Sequence, residues 1–193
     1  MINRKSFYDN FRKTFGKITQ EQVDGFEAIF NEWEKEELTD LRWLAYMLAT
    51  VWHETNKTMQ PIEEIGKGKN YRYGKKLKRN GTPYVMPNKL YYGRGHVQLT
   101  WFENYELMSR LLKVDLLNTP ELMFNMEISI KVMFEGMLRG SSSFGDFTGK
   151  CLEMYFNDKV NDAIGARKII NGTDKAELIA TYHFDFLKCL KSV

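Results

Sequence analysis

A chain of 193 residues with a formal net charge of +3 and 43% hydrophobic residues is long enough for one domain with a sizeable core, because a domain of this size buries roughly 70% of the surface its unfolded chain exposes. Aromatic residues at 14% and only four prolines exclude a disordered or low-complexity protein. No window approaches the roughly 20 apolar residues of a membrane span, and Cys151 and Cys189 are too few for a disulfide scaffold or a zinc pattern.

Phe7, Phe11 and Phe15 recur every four residues, and Val23, Phe26, Ile29, Phe30 and Trp33 repeat the same spacing, so two amphipathic helices open the chain. Thr19 and Gln22 form a capping-box pattern at the start of the second. "TDLRWLAYMLATVWHE" predicts a third helix from near Asp40, buried through Leu41, Leu44, Ala45, Leu48 and Trp52, with Glu54 at its C-terminal end.

From Thr55 to Leu90 the periodicity stops, and Pro61, Gly66, Gly68, Gly74, Gly81, Pro83 and Pro87 punctuate a segment whose length points to function or disorder. Within it, "KGKNYRYGKKLKR" at 67–79 holds seven basic residues and no acidic ones, more than the whole net excess of the chain. Such a run is a solvated loop or a surface for a polyanion. Helical spacing returns at Trp101–Leu112, Met126–Leu138 and Lys175–Leu190, separated by "LRGSSSFGDFTGK" and "IINGTD". The expected fold is mainly α, with at most a short β-hairpin around Tyr84–Leu99, as a single domain over 1–193 without internal repeats.

His53-Glu54 invites comparison with a helical zinc site, but the second histidine of HExxH is replaced by Lys57, so that pattern is absent. The glycine-rich stretches match neither dinucleotide nor phosphate-loop patterns, and no nucleophile elbow is present. Carboxylates remain. Glu54, Glu63 and Glu64 stand close together in "HETNKTMQPIEEIG", and a glycosidase needs one carboxyl to protonate the leaving oxygen and one carboxylate to attack or to activate water. Glu54, beside Trp52 at a helix end, suits the acid; a glutamate in the following polar loop stays ionised.

"YYGRGHVQLTWFENY", Tyr91–Tyr105, resembles the YYGRGPxQLxxxxNY signature of glycoside hydrolase family 19, the chitinase-like enzymes, and of the related lysozyme-like endolysins of bacteriophages. "HET" at His53–Thr55 resembles the family's HE-T/S motif, and "IINGT" at Ile169–Thr173 its late I-N-G-G segment. The resemblance covers roughly residues 40–190 and implies a two-lobed, lysozyme-like catalytic core over 39–193, with residues 1–38 as N-terminal helices. It implies Glu54 as general acid and Glu63, nine positions on, as the second carboxylate, with Glu64 one step away as the alternative. It further implies Thr100 holding the attacking water, Gln98 and Asn104 lining the sugar cleft, and Asn171 closing it. Tyr91 and Tyr92 offer faces for sugar stacking. Three departures stand out: His96 replaces a proline, Thr173 replaces a glycine, and the arginine expected after the I-N-G segment has no counterpart in "TDKAELIATYHFDF".

The reading that follows is an inverting glycosidase cleaving β-1,4 bonds of peptidoglycan, with chitin hydrolysis and a catalytically silent sugar-binding module as alternatives. No metal, cofactor, nucleic acid or membrane insertion is expected, and a monomer suffices. The N-terminus lacks a signal-peptide apolar run, so an enzyme made in the cytoplasm and reaching the wall after release, in the manner of a phage lysin, is the expected location.

Overall fold

Among the described residues there are six α-helices, and side-chain caps mark the start of the first three. In the computed structural model, which describes residues 1–86, 88–138 and 147–191, these are α1 (Arg4–Phe15), α2 (Gln20–Lys35), α3 (Leu41–Glu54), α4 (Phe102–Leu112), α5 (Met126–Met137) and α6 (Ala176–Leu190). Asn3 caps α1 through Ser6 N–H, and Asp40 caps α3 through Arg42 N–H. At α2 the Thr19 hydroxyl accepts from Gln22 N–H while the Gln22 side chain accepts from Thr19 N–H, the reciprocal box expected from sequence. The spacer "LRGSSSFGDFTGK" lies largely outside the described residues.

The chain forms two compact units, residues 1–59 with 135–193, and residues 60–134. In the first, α6 packs against α3 and α1. Phe7 meets Phe26 and Phe30 edge-on, with Phe7–Phe30 centroids 4.8 Å apart, Phe11 meets Phe26 edge-on, and Phe26 stacks on Phe30. Trp52 and Phe186 join them from α3 and α6. Offset and edge-to-face pairs of this kind add stability beyond the area they bury. Most of the predicted helix-face residues are core residues, with Phe15, Val23 and Leu41 half-buried, and they seat the last turn of α3, which carries Glu54. His183 belongs to the same unit as a neutral aromatic filler: it is fully buried, stacks on Phe156 at 5.0 Å, and burial pushes its pKa down to about 4.

The second unit holds the only sheet among the described residues, two short strands, β1 (Ile62–Glu63) and β2 (Arg94–Gly95), antiparallel with Ile62 opposite Gly95 and Glu63 opposite Arg94. The short hairpin expected within Tyr84–Leu99 is met by a local bridge, and the sheet adds a distant strand to it. Locally, Arg94 and Leu99 do bridge across a tight turn, but β2 takes its main partner from some thirty residues upstream, a non-local pairing that no turn signal announces. Beneath lies a second aromatic core in which Tyr84 stacks on Phe102 at 5.0 Å and Tyr91 packs on Tyr105 at 5.0 Å.

Gly25 is where α2 meets the turn after α3. A β-carbon there would stand 2.1 Å from the Met59 carbonyl oxygen, a backbone atom that cannot swing aside. Overpacking against backbone costs typically 1–3 kcal/mol. Gly25→Ala is therefore expected to lower the urea midpoint by a corresponding amount despite alanine's better helix propensity; an unchanged or raised midpoint refutes this packing.

Candidate active site

Glu54 ends α3, where the free carbonyls of a helix C-terminus disfavour a carboxylate. The helix stops because Asn56, Lys57 and Met59 take left-handed φ values of 50°, 69° and 58°. The buried Thr55 hydroxyl donates to the Val51 carbonyl at 2.7 Å and accepts from Met59 N–H at 3.0 Å, locking the exit. Glu54 itself is 15% exposed, and Arg167 Nη1 donates to its Oε1 at 2.6 Å from a side chain only 2% exposed. Beside it, His53 is half-buried; burial lowers its pKa first, the Glu54 charge opposes that, and Arg167 adds to it, so the imidazole is neutral at neutral pH.

Arg167 is the residue the sequence reading missed. Its motif logic sought an arginine after the I-N-G segment, whereas Arg167 lies before it, in a 3-10 turn over Gly165–Ile169. Its Nε donates to the Asp174 carbonyl at 2.9 Å and its own carbonyl accepts from Asn171 N–H at 2.9 Å. The late loop is thus wrapped around the guanidinium, with Asn171 exposed on it. A signal existed: Arg167 is the last arginine of the chain and sits in an apolar run, "ARKII", where a buried charge needs a partner.

In the second unit Glu63, the last residue of β1, and Glu64, just after it, have different partners. Glu63, 40% exposed, accepts from the Tyr92 hydroxyl at 2.9 Å and pairs with Lys67 Nζ at 3.2 Å. The Tyr92 hydrogen bond, against a smaller desolvation effect and with help from Lys67 and Arg94, holds its carboxyl below the usual carboxylate range. Glu64 is tied to the protein itself: the Tyr73 hydroxyl donates to Oε1 at 2.9 Å and Gly93 N–H to Oε2 at 3.1 Å. Both of its oxygens therefore hold the loop, which makes Glu64 a scaffold for its neighbour rather than a free ligand for sugar.

The signature 91–105 builds the support for Glu63. Arg94 is 3% exposed, its guanidinium lies 3.5 Å over the Tyr92 ring, and its Nη1 donates to the Leu90 carbonyl and the Tyr105 hydroxyl. That stack covers the Tyr92 ring, which is 7% exposed, so Tyr92 works through its hydroxyl and not as the sugar platform expected of it. Tyr91 is corrected likewise: fully buried, donating to the Leu117 carbonyl at 2.9 Å, it is a core residue. Gln98, at φ 52°, donates through Nε2 to the carbonyls of Ile62 and Gly95, both at 3.1 Å, clamping β1 to β2 and leaving its amide oxygen as the group available to a ligand. Thr100 is half-buried and Asn104, on α4, is 8% exposed.

His96 also has a physical account. Its N–H donates to Ser129 Oγ at 2.8 Å and its Nδ1 lies 2.8 Å from the same oxygen; a proline here, as in the family signature, has no N–H to give. Gly95, at φ 83°, admits that contact, since a β-carbon would fall 2.5 Å from Ser129 Oγ. Among the described residues no group of three or more His, Cys, Asp or Glu side chains could hold a metal ion.

Set against known proteins, the chain is similar to Endochitinase EP3 of Arabidopsis thaliana, 43% identical over 82 residues, which is 42% of this chain and 28% of that protein. It also matches an inactive chitinase-like protein 1 of Hevea brasiliensis, 53% identical over 36 residues, 19% of this chain and 12% of that one. The chain thus spans well under half the length of these relatives, and similarity at this level does not separate an active from an inactive protein. The solved structure of a bacterial family 19 chitinase shares the fold, with a TM-score of 0.64 at 21% identity over 100% of this chain and 96% of that one. The sequence profile of glycoside hydrolase family 19, chitinase class I, matches residues 32–138, a stretch that includes Glu54, Glu63 and the whole Tyr91–Tyr105 signature. More than half of the chain is thereby accounted for, and the protein belongs to glycoside hydrolase family 19.

Proposed function

We propose that the protein hydrolyses β-1,4 bonds of N-acetylhexosamine polymers with inversion, Glu54 acting as general acid and Glu63 as general base. The observation that carries this reading is the unlike holding of the two carboxyl groups. At Glu54 one oxygen, Oε1, is held by a buried arginine, which leaves Oε2 to carry a proton to the leaving oxygen. The negative charge remaining after that transfer faces the Arg167 guanidinium at 2.6 Å, a preorganised stabilisation of the kind that lowers barriers. Glu63 is kept ionised by the Tyr92 hydroxyl and Lys67 and is suited to take a proton from water as that water attacks the anomeric carbon. The glycosidic C–O bond breaks, the new C–O bond forms from water, Glu54 ends as carboxylate and Glu63 ends protonated. Inversion requires the two groups to stand roughly 6.5–9.5 Å apart in the working enzyme. Thr100 would help hold the water, and the amides of Gln98, Asn104 and Asn171 would meet sugar hydroxyl and N-acetyl groups.

Chitin is the substrate favoured by relatives such as Endochitinase EP3. Peptidoglycan is the second reading, favoured by a specific observation, the seven basic residues at 67–79, because a cell wall carries carboxylates that chitin lacks. An enzyme made in the cytoplasm and released onto the wall, as in the phage-lysin branch of the family, belongs with this second reading. Release of reducing ends from glycol chitin, compared with clearing of purified peptidoglycan, discriminates the two; binding to either without turnover makes the protein a silent sugar-binding module.

Glu54→Gln keeps shape and an acceptor for Arg167 but has no proton to give. Its turnover is expected to fall by about 10²–10⁴-fold, the range of general acid catalysis, with the circular dichroism spectrum unchanged. Glu63→Gln is expected to match it. Glu64→Gln is expected to cost much less, since it loosens the Tyr73 and Gly93 contacts without touching the base. A fully active Glu54→Gln ends the mechanism.

Tyr92→Phe isolates the hydrogen bond to Glu63. Without that donor the Glu63 carboxyl rises toward its ordinary value and takes up a proton earlier as the pH falls, so the acid limb of the pH–rate profile is expected to move to higher pH while the rate at neutral pH stays well above that of Glu63→Gln. An acid limb that stays in place or moves downward excludes Glu63 as the group it reports.

A further inference from the structure

The basic segment is folded, and its cations divide into two sets. Tyr71 N–H donates to the Gly68 carbonyl at 2.9 Å and Gly74 N–H to the Tyr71 carbonyl at 3.1 Å, leading through a 3-10 turn over Arg72–Lys75. Gly68 and Gly74 approach so closely that a β-carbon on Gly74 would stand 2.0 Å from the Gly68 carbonyl oxygen. Four of the seven cations are engaged within the fold. Lys67 pairs with Glu63, Lys76 Nζ donates to the Met86 carbonyl at 3.4 Å, Lys78 lies 4.6 Å over the Phe102 ring and Arg79 5.9 Å over Trp101. Lys69, Arg72 and Lys75 are exposed and have no acidic partner among the described residues.

Those three flank an aromatic ladder. Tyr71, 56% exposed, stacks on Tyr73 with centroids 5.1 Å apart and planes 9° from parallel, and Tyr73 meets Trp101 edge-on at 5.4 Å. The ladder is held in place by Glu64, which accepts from the Tyr73 hydroxyl, so an exposed ring face and three uncompensated positive charges stand on the segment that follows Glu63 in the chain. An aromatic face takes the C–H side of a pyranose ring, and cations beside it add attraction for pendant anionic groups.

We propose that Tyr71 with Lys69, Arg72 and Lys75 forms a docking surface for a carboxylate-bearing β-1,4-linked N-acetylhexosamine polymer, which it prefers over the neutral polymer of the same backbone. The assignment rests on the glycosidase reading for its choice of sugar and names the substrate class of that reading: the tyrosine face reads the ring, and the three cations read the charge. Lys76 and Lys78 do not contribute, because they are engaged elsewhere.

Carboxymethyl chitin and glycol chitin share one backbone and differ in charge, so isothermal titration with each reads the preference directly. At about 20 mM salt the wild-type protein is expected to bind the carboxymethyl polymer roughly tenfold more tightly, and by about 0.5 M salt, where exposed charges are screened within a few ångströms, the two affinities converge. The triple substitution Lys69→Gln, Arg72→Gln, Lys75→Gln is expected to abolish the preference and leave glycol chitin binding unchanged. Tyr71→Ala is expected to weaken binding to both polymers several-fold. Charge-preserving exchange, Lys69→Arg, Arg72→Lys and Lys75→Arg, is expected to retain the preference, which separates lost charge from a damaged loop. Equal wild-type affinities, a preference surviving in the neutral triple variant, or tighter binding of single-stranded DNA than of carboxymethyl chitin overturns the proposal. Reducing-end release run on the same samples keeps the two readings apart: a retained preference with no cleavage of either polymer refutes hydrolysis and leaves the docking surface standing.

Discussion

A guanidinium removed from water must find acceptors, and in this protein that requirement organises the surroundings of Glu54. Arg167 is 2% exposed. Desolvating such a charge without a partner is prohibitive, and breaking a buried pair from one side costs about 3–5 kcal/mol. Its acceptors are the Glu54 carboxylate and the Asp174 carbonyl, so one side chain ties the end of α3 to the late loop that presents Asn171. A carboxylate at a helix C-terminus is in the wrong place electrostatically; the adjacent cation offsets that and orients it.

A second buried arginine does the corresponding work in residues 60–134. Arg94 supports the Tyr92 ring from below and anchors the turn through the Leu90 carbonyl and the Tyr105 hydroxyl, and Tyr92 in turn holds Glu63. The two carboxyl groups are therefore served differently: Glu54 touches its arginine, whereas Glu63 meets a neutral hydroxyl and an exposed lysine. A buried cation touches Glu54 directly and reaches Glu63 only through the ring and hydroxyl of Tyr92.

The family signature reads accordingly as a folding instruction as well as a chemical one. Gly95 and His96 allow the contact with Ser129, Gln98 clamps β1 to β2 through its amide nitrogen, and Tyr91 fills the core. Few of its side chains are left to meet a ligand directly.

What the sequence by itself determined are the features set by local periodicity and local hydrogen bonding. The helical faces of Phe7–Phe11 and Phe26–Trp33, the capping box at Thr19, the placing of Glu54 at a helix end and the absence of helical periodicity over 55–90 follow from side-chain spacing within a few residues, and the structure has them where the spacing put them. The tertiary structure decided whatever depends on a partner distant in the chain. Arg167 reaches Glu54 across 113 positions, β2 gains β1 as a partner beyond its local bridge to Leu99, the Tyr91 and Tyr92 faces are covered by packing, and three of seven neighbouring cations are left uncompensated while four find rings, a carbonyl or a carboxylate. Spacing specifies which face of an element is apolar; it carries no information about which distant group will meet a given charge, and the cost of burying that charge unpaired is what selects the partner once the chain is folded.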